Sequence, residues 1–161
     1  MAQIGAAIGR EFSFVLVRAV SRLPEGELEA ALARPVASEL VFQRGTPPNA
    51  VYSFKHALVQ DAAHASLLRS NRQQLHAQIA EALEILSPEL MENQPELFAQ
   101  HYAEARLVEK SVSYWSKAGH RSAARSAMAE AAAQLRKGWI SSRCCLIPLN
   151  GNAKSSNFGL P

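Results

Sequence analysis

The sequence predicts a mainly α-helical chain carrying one small β-hairpin. Three observations lead there. Of 28 alanines in the 161 residues, 27 precede Gly138, which favours closely packed helices. Apolar residues recur at helical spacing through most of that stretch. Only between Leu40 and Phe54 do β-branched and aromatic residues bracket a turn-forming cluster.

Met1 to Ile8 is short and apolar and reads as the last turns of a helix closed by Gly9, with its beginning expected to lie in a larger protein. Phe12 to Val20 reads as a second apolar helix. Leu23-Pro24-Glu25 starts a third, with Glu25, Glu27 and Glu29 favourably placed near its positive end. Leu28, Leu32, Val36 and Leu40 form its apolar stripe, so this helix is expected to run to Leu40. Pro35 would then sit in its interior, at a cost of about 3 kcal/mol.

Residues 40–44 and 50–54 flank Gly45-Thr46-Pro47-Pro48-Asn49 and read as the hairpin. Helical spacing returns with Phe54, Leu58, Ala62, Ala65 and Leu68. Ser70-Asn71-Arg72-Gln73 forms a capping box for a helix carrying Leu75, Ile79, Leu83 and Leu86, which Ser87-Pro88 stops. Helix, helix, helix, hairpin, helix is the element order of a winged-helix domain with an added helix, assigned to residues 1–87.

Three shorter helices follow: Glu96 to Ala105, Val108 to Ala118 closed by Gly119, and Arg121 to Lys137 closed by Gly138. With Tyr102 and Trp115 beside small residues, residues 95–138 read as the start of a tetratricopeptide-like helical array. Ala124, Ala127, Ala131 and Leu135 would form an uncapped last face, favouring self-association. Residues 139–161 change in composition and are expected to be a disordered tail.

Charge and motif content narrow the chemistry. Net charge is +3, but residues 1–119 carry 11 basic and 13 acidic groups, so the body has no basic excess for nucleic acid. Asp61 is the sole aspartate, which weighs against aspartate-dependent hydrolysis and phosphoryl transfer. None of the glycines at 5, 9, 26, 45, 119, 138, 151 and 159 opens a phosphate-binding GxxxxGK[ST] loop. No catalytic residue and no metal site are expected. Asp61 and His64 lie one helical turn apart but lack the further ligands a metal needs, so a local hydrogen bond is expected between them. Adjacent Cys144 and Cys145 do not form a Cys-x-x-Cys pair. Tyr102, Tyr114 and Trp115 could line a ligand groove, though their spacing favours inter-helix core. The sequence holds no bilayer-spanning apolar run and no secretory signal, so a cytoplasmic protein is expected.

A resemblance is carried by Ile8-Gly9-Arg10-Glu11-Phe12, by Glu39-Leu40-Val41-Phe42, by the run from Tyr52 to Ala63 (Tyr-Ser-Phe-Lys-His-Ala-Leu-Val-Gln-Asp-Ala-Ala), by Leu75-His76, and by Tyr114-Trp115 through Ala118-Gly119. Over about residues 3–138 the chain resembles the segment that follows the nucleotide-binding domain in bacterial STAND-class signalling ATPases. It is most similar to those linked to an adenylate/guanylate cyclase domain and to tetratricopeptide-like repeats. Pro35 stands where that family usually has leucine and His64 where it usually has tyrosine. The resemblance stops at Gly138, as expected of a truncated or frameshifted fragment.

The resemblance implies a non-catalytic regulatory and protein-interaction role. Its partners would be the nucleotide-binding domain of the parent, where ATP or ADP is the cofactor, and a protein on the helical array. It also implies a role for His56, which is similar to the histidine that senses the ADP phosphate in the parent. An imidazole N–H at a helix start suits such an anion. Phe54, Lys55 and Ala57 replace the usual neighbours, and the residue could otherwise cap the wing against the core. The alternative function is a DNA-binding winged-helix transcriptional regulator. The helix that would enter the groove carries four glutamates against Arg34, the wrong sign for DNA.

Overall fold

A computed structural model describes residues 1–143. It is mainly helical, with a small three-stranded antiparallel sheet. The chain runs α1 (Ala2–Ile8), β1 (Glu11–Ser13), α2 (Phe14–Ser21), α3 (Glu25–Ala37), β2 (Val41–Arg44), β3 (Val51–Phe54), α4 (Ala57–Ala65), α5 (Arg69–Leu86), α6 (Glu89–Asn93), α7 (Pro95–Glu104), α8 (Val108–Ala124) and α9 (Met128–Arg143).

The expected hairpin is present as β2 and β3, with Val41 opposite Phe54 and Arg44 opposite Val51. A third strand joins it. Residues 11–13 do not begin a helix: Phe12 pairs with Tyr52, so the strand order is β1-β3-β2. Ser13 makes the break. Its backbone is extended and its hydroxyl accepts the Leu16 N–H at 3.2 Å, capping α2 one residue after the strand. Phe12 stacks on Tyr52 at 5.6 Å, and with Phe14, Val17, Leu28, Leu32, Val41 and Phe54 builds one core beneath the sheet.

Helix α2 also serves a second core. Phe14 and Val17 face the sheet, whereas Leu16 and Val20 pack with Leu75, Ile79, Leu83, Phe98 and Tyr102 from α5 and α7. The α5 stripe is buried at Leu75, Ile79 and Leu83 as the sequence predicts, whereas Leu86 is 41% exposed, and Ser87 lies just beyond the helix end. Its start differs. Leu68 is the N-cap residue with no side-chain cap bond, and Ser70 lies inside the helix, where it donates to the Asn71 side chain instead of forming a capping box.

Three other expectations are corrected. Helix α3 stops at Ala37, because the left-handed Glu39 (φ 54°) lets the Leu40 N–H bond the Pro35 carbonyl and the Glu39 N–H bond that of Val36. Pro35 thus lies in the last turn, and Leu40 is exposed outside the helix. The helix expected from Phe54 to Leu68 is shorter: Phe54 belongs to β3, α4 turns Val59 and Ala63 inward with Leu58 80% exposed, and Leu68, beyond its end, is 70% exposed.

Gly119 and Gly138 close no helix. Helix α8 continues to Ala124 and α9 to Arg143, so residues 139–143 of the expected tail are helical. A methyl group on Gly119 would lie 2.6 Å from Leu135 Cγ, and one on Gly138 3.0 Å from Trp115 Cβ. Both glycines let two helices approach. The single helix expected over 121–137 is broken at Ser126 (φ 61°), where Ala127 N–H bonds the Ser122 carbonyl. Arg106 (φ 61°) makes the same turn between α7 and α8, with Leu107 N–H on the Tyr102 carbonyl. The expected bare face is also covered in part: Ala131 is buried and Leu135 lies against Gly119, while Met128, Trp139 and Ile140 point outward. Cys144, Cys145 and the rest of the expected tail lie outside the described residues.

Candidate functional site

His56 is the N-cap residue of α4, at the end of the connection from β3. Its carbonyl accepts the Val59 and Gln60 N–H groups, at 3.1 and 3.4 Å. Its side chain makes no capping bond and is exposed, so it does not lock the wing to the core. None of the nine residues of α4 is buried. The imidazole and Leu58 are therefore each accessible at the start of the helix.

Asp61 and His64 do not pair. His64 turns to His76 on α5, with 3.3 Å between their Nε2 atoms, and His76 reaches His101 on α7 at 2.8 Å between Nδ1 atoms. Sequence reasoning did not single out this three-helix chain. A signal existed for two of its members. His76 precedes Ile79, Ala80 and Leu83 at helical spacing, and His101 lies between Phe98 and Tyr102, so each interrupts an apolar stripe.

The chain is complete when all three rings are neutral. If His64 Nε2–H donates to His76 and His76 Nδ1–H donates to His101, each contact has one donor and one acceptor. One proton added to His76 is still accommodated, because both neighbours can then accept. A second proton on His101 would set two N–H groups against each other.

Burial first, and then the neighbouring His76, push the His101 pKa down to about 4. His76 is lowered by burial first; Glu104 opposes this, and His64 and Arg72 reinforce it. The three rings border a cleft of about 580 Å³ among α1, α4, α5, α7 and α9, together with Gln60, Gln100 and Lys137. Among the described residues no group of three His, Cys, Asp or Glu side chains is placed to hold a metal ion. The arrangement offers a neutral hydrogen-bonding wall.

Tyr102, Tyr114 and Trp115 lie between helices, as their spacing favours. Phe98, Tyr114 and Tyr102 form a stack with centroids 5.2 and 5.7 Å apart. Glu84 accepts both hydroxyls, Tyr102 at 2.7 Å and Tyr114 at 2.9 Å. Burial, then the bond to Glu84, raises both phenol pKa values, that of Tyr114 to about 12. These are donors held in place, not acids available for chemistry.

Comparison with known proteins adds one relative. Over 134 residues the chain is 31% identical to an uncharacterized protein of Rhizobium meliloti (strain 1021). The match takes in 81% of this chain and 13% of that protein, which is therefore on the order of a thousand residues long. No family model matches, and no solved structure matches. No helix among the described residues is long and apolar enough to cross a membrane.

Proposed function

We propose that the chain is a non-catalytic regulatory and protein-interaction segment of a multidomain STAND-type signalling ATPase, from a cytoplasmic, cyclase-linked parent. The observation that carries this is the uncovered start of α4, where the N-cap residue His56 is exposed and Leu58, two residues on, is 80% exposed. An exposed imidazole donor at a helix start, with exposed apolar surface in the same first turn, suits a surface that closes on a phosphate-bearing domain. In this reading the parent's nucleotide-binding domain covers that surface and holds ATP or ADP. A partner protein takes the helical array.

Three features support the finer assignment. The order α1-β1-α2-α3-β2-β3 with sheet order β1-β3-β2 suits a winged helix. The matching turns at Arg106 and Ser126 suit a tetratricopeptide-like succession of hairpins. The Rhizobium relative is long enough to contain further domains. DNA is the weaker reading, since Glu25, Glu27 and Glu29 are exposed on α3 and would face phosphates.

The test is a chimera in which this chain replaces its matching stretch in the Rhizobium relative. The chimera should retain ADP through purification, and His56→Ala should shorten that retention. Through His56 the free chain should bind ADP no better than weakly. Micromolar ADP binding by the free chain that His56→Ala abolishes, or retention by the chimera unaffected by His56→Ala, would overturn the assignment.

A further inference from the structure

A second cleft, of about 450 Å³, lies beside the histidine cleft and is lined differently. Arg69 and Arg72 enter it from the first turn of α5, one helical turn apart and therefore on one face. Arg106 enters from the turn between α7 and α8. Glu104 is the one carboxylate in its lining, so with every group ionised the site carries a charge of +2. Among the described residues the ion pairs are Arg18–Glu25, Arg44–Glu11, Lys55–Glu39 and Lys117–Glu92, and none engages these three arginines.

The second observation is an orphaned donor. Arg72 Nε is buried and has no hydrogen-bond partner among the described residues. A buried N–H of a charged group left without an acceptor is costly, and native structures generally satisfy such groups. Three arginines from two parts of the chain line this one cleft, and a guanidinium offers an oxyanion a fork of N–H donors. Val108 and Ile140 add apolar wall on the same cleft. Its volume falls in the range of small-molecule sites.

We propose that this cleft binds a small phosphate monoester, whose oxygens are held by Arg69, Arg72 and Arg106 and whose apolar body rests on Val108 and Ile140. The site is independent of His56 and of any nucleotide-binding domain. It gives the chain a ligand of its own. Phosphate is favoured over carboxylate because three separate guanidiniums can each engage an oxygen of a dianion, whereas a carboxylate presents two oxygens to one fork.

The full chain is titrated with inorganic phosphate, phenyl phosphate and benzoate by calorimetry, while the arginine Nε–Hε resonances are followed by NMR. Phenyl phosphate should saturate, bind more tightly than either of the others, and shift the Arg72 Nε–Hε resonance. Arg72→Gln should weaken it roughly 10- to 100-fold, as expected for loss of a charge-assisted donor. Arg69→Gln and Arg106→Gln change exposed side chains and keep the test decisive if Arg72→Gln fails to fold. Each should weaken binding as well. No saturable binding, benzoate equal to or tighter than phenyl phosphate, or undiminished affinity in both exposed variants would overturn the proposal.

Discussion

The sheet-bearing core and the α8–α9 hairpin are held together by opposite means. Beneath the sheet the contacts are large: Phe14, Tyr52, Leu28 and Leu32 are fully buried, and rings meet face to face. Between α8 and α9 the contacts are small. Gly119 and Gly138 bring the helices close, the buried Ala131 lies beside Gly119, and the buried Ser122 hydroxyl donates to Gln134 at 2.9 Å. Bulky packing is unforgiving because a neighbour has nowhere to go, whereas a small-residue seam between half-exposed helices can give at its edge.

The largest test of that contrast is Phe14→Ala, which empties a fully buried position shared by the sheet and α2. It should cost about 3 to 5 kcal/mol in chemical denaturation. Ala131→Gly, at the seam, should cost only about 1 kcal/mol, mostly helix propensity. Equal losses would erase the distinction.

The histidine chain sits between the two regions and predicts an acid-labile junction. His101 has its folded pKa lowered to about 4 from an ordinary 6.5, so the unfolded chain takes up the proton first. The stability its neutral form contributes is complete above pH 6.5 and is lost as pH falls toward 4. Linkage sets that loss at roughly 3 kcal/mol, and it levels off below pH 4. His101→Phe should flatten that pH dependence; a slope identical to the parent's would contradict the assignment.

A matched pair of glycine substitutions sharpens the comparison further. A methyl group on Gly5 would lie 2.5 Å from Phe12 Cε1, a buried ring stacked on Tyr52, so Gly5→Ala should destabilise by about 1 to 3 kcal/mol. A methyl group on Gly119 meets Leu135, which is 44% exposed and free to swing outward. There the helix-propensity gain offsets much of the overlap, and Gly119→Ala should lie within about 1 kcal/mol of the parent.

The smallest effect expected is at Pro35. Because α3 ends at Ala37, Pro35→Leu restores one bond, to the Ala31 carbonyl, and adds half-buried apolar surface. A gain of about 1 kcal/mol in the denaturation midpoint should result, short of the cost expected for a proline deep in a helix.

These outcomes bear on what could be read from the residues alone. The β2–β3 hairpin and the α5 stripe were legible because each is local: a turn cluster between apolar runs, and Leu75, Ile79 and Leu83 at helical spacing. Strand β1 was not, since Phe12 to Val20 is apolar but for Ser13 and Arg18, and only pairing with Tyr52, far along the chain, separates strand from helix. Gly119 and Gly138 mimic helix stops, and only the positions of Leu135 and Trp115 reveal their packing role. The site divides the same way. His56 was visible at a strand-to-helix boundary, but His64 meets His76 on one helix and His76 meets His101 on another, and no spacing rule joins them.

The central claim is that the start of α4 is an interface left open in the isolated chain, and hydrogen exchange of residues 57–68 tests it directly. In the chimera with the Rhizobium relative, ADP should slow exchange of these amides well below the rate in the free chain, and His56→Ala should reverse part of that protection. Exchange as fast in the chimera as in the free chain, with or without ADP, would contradict the account.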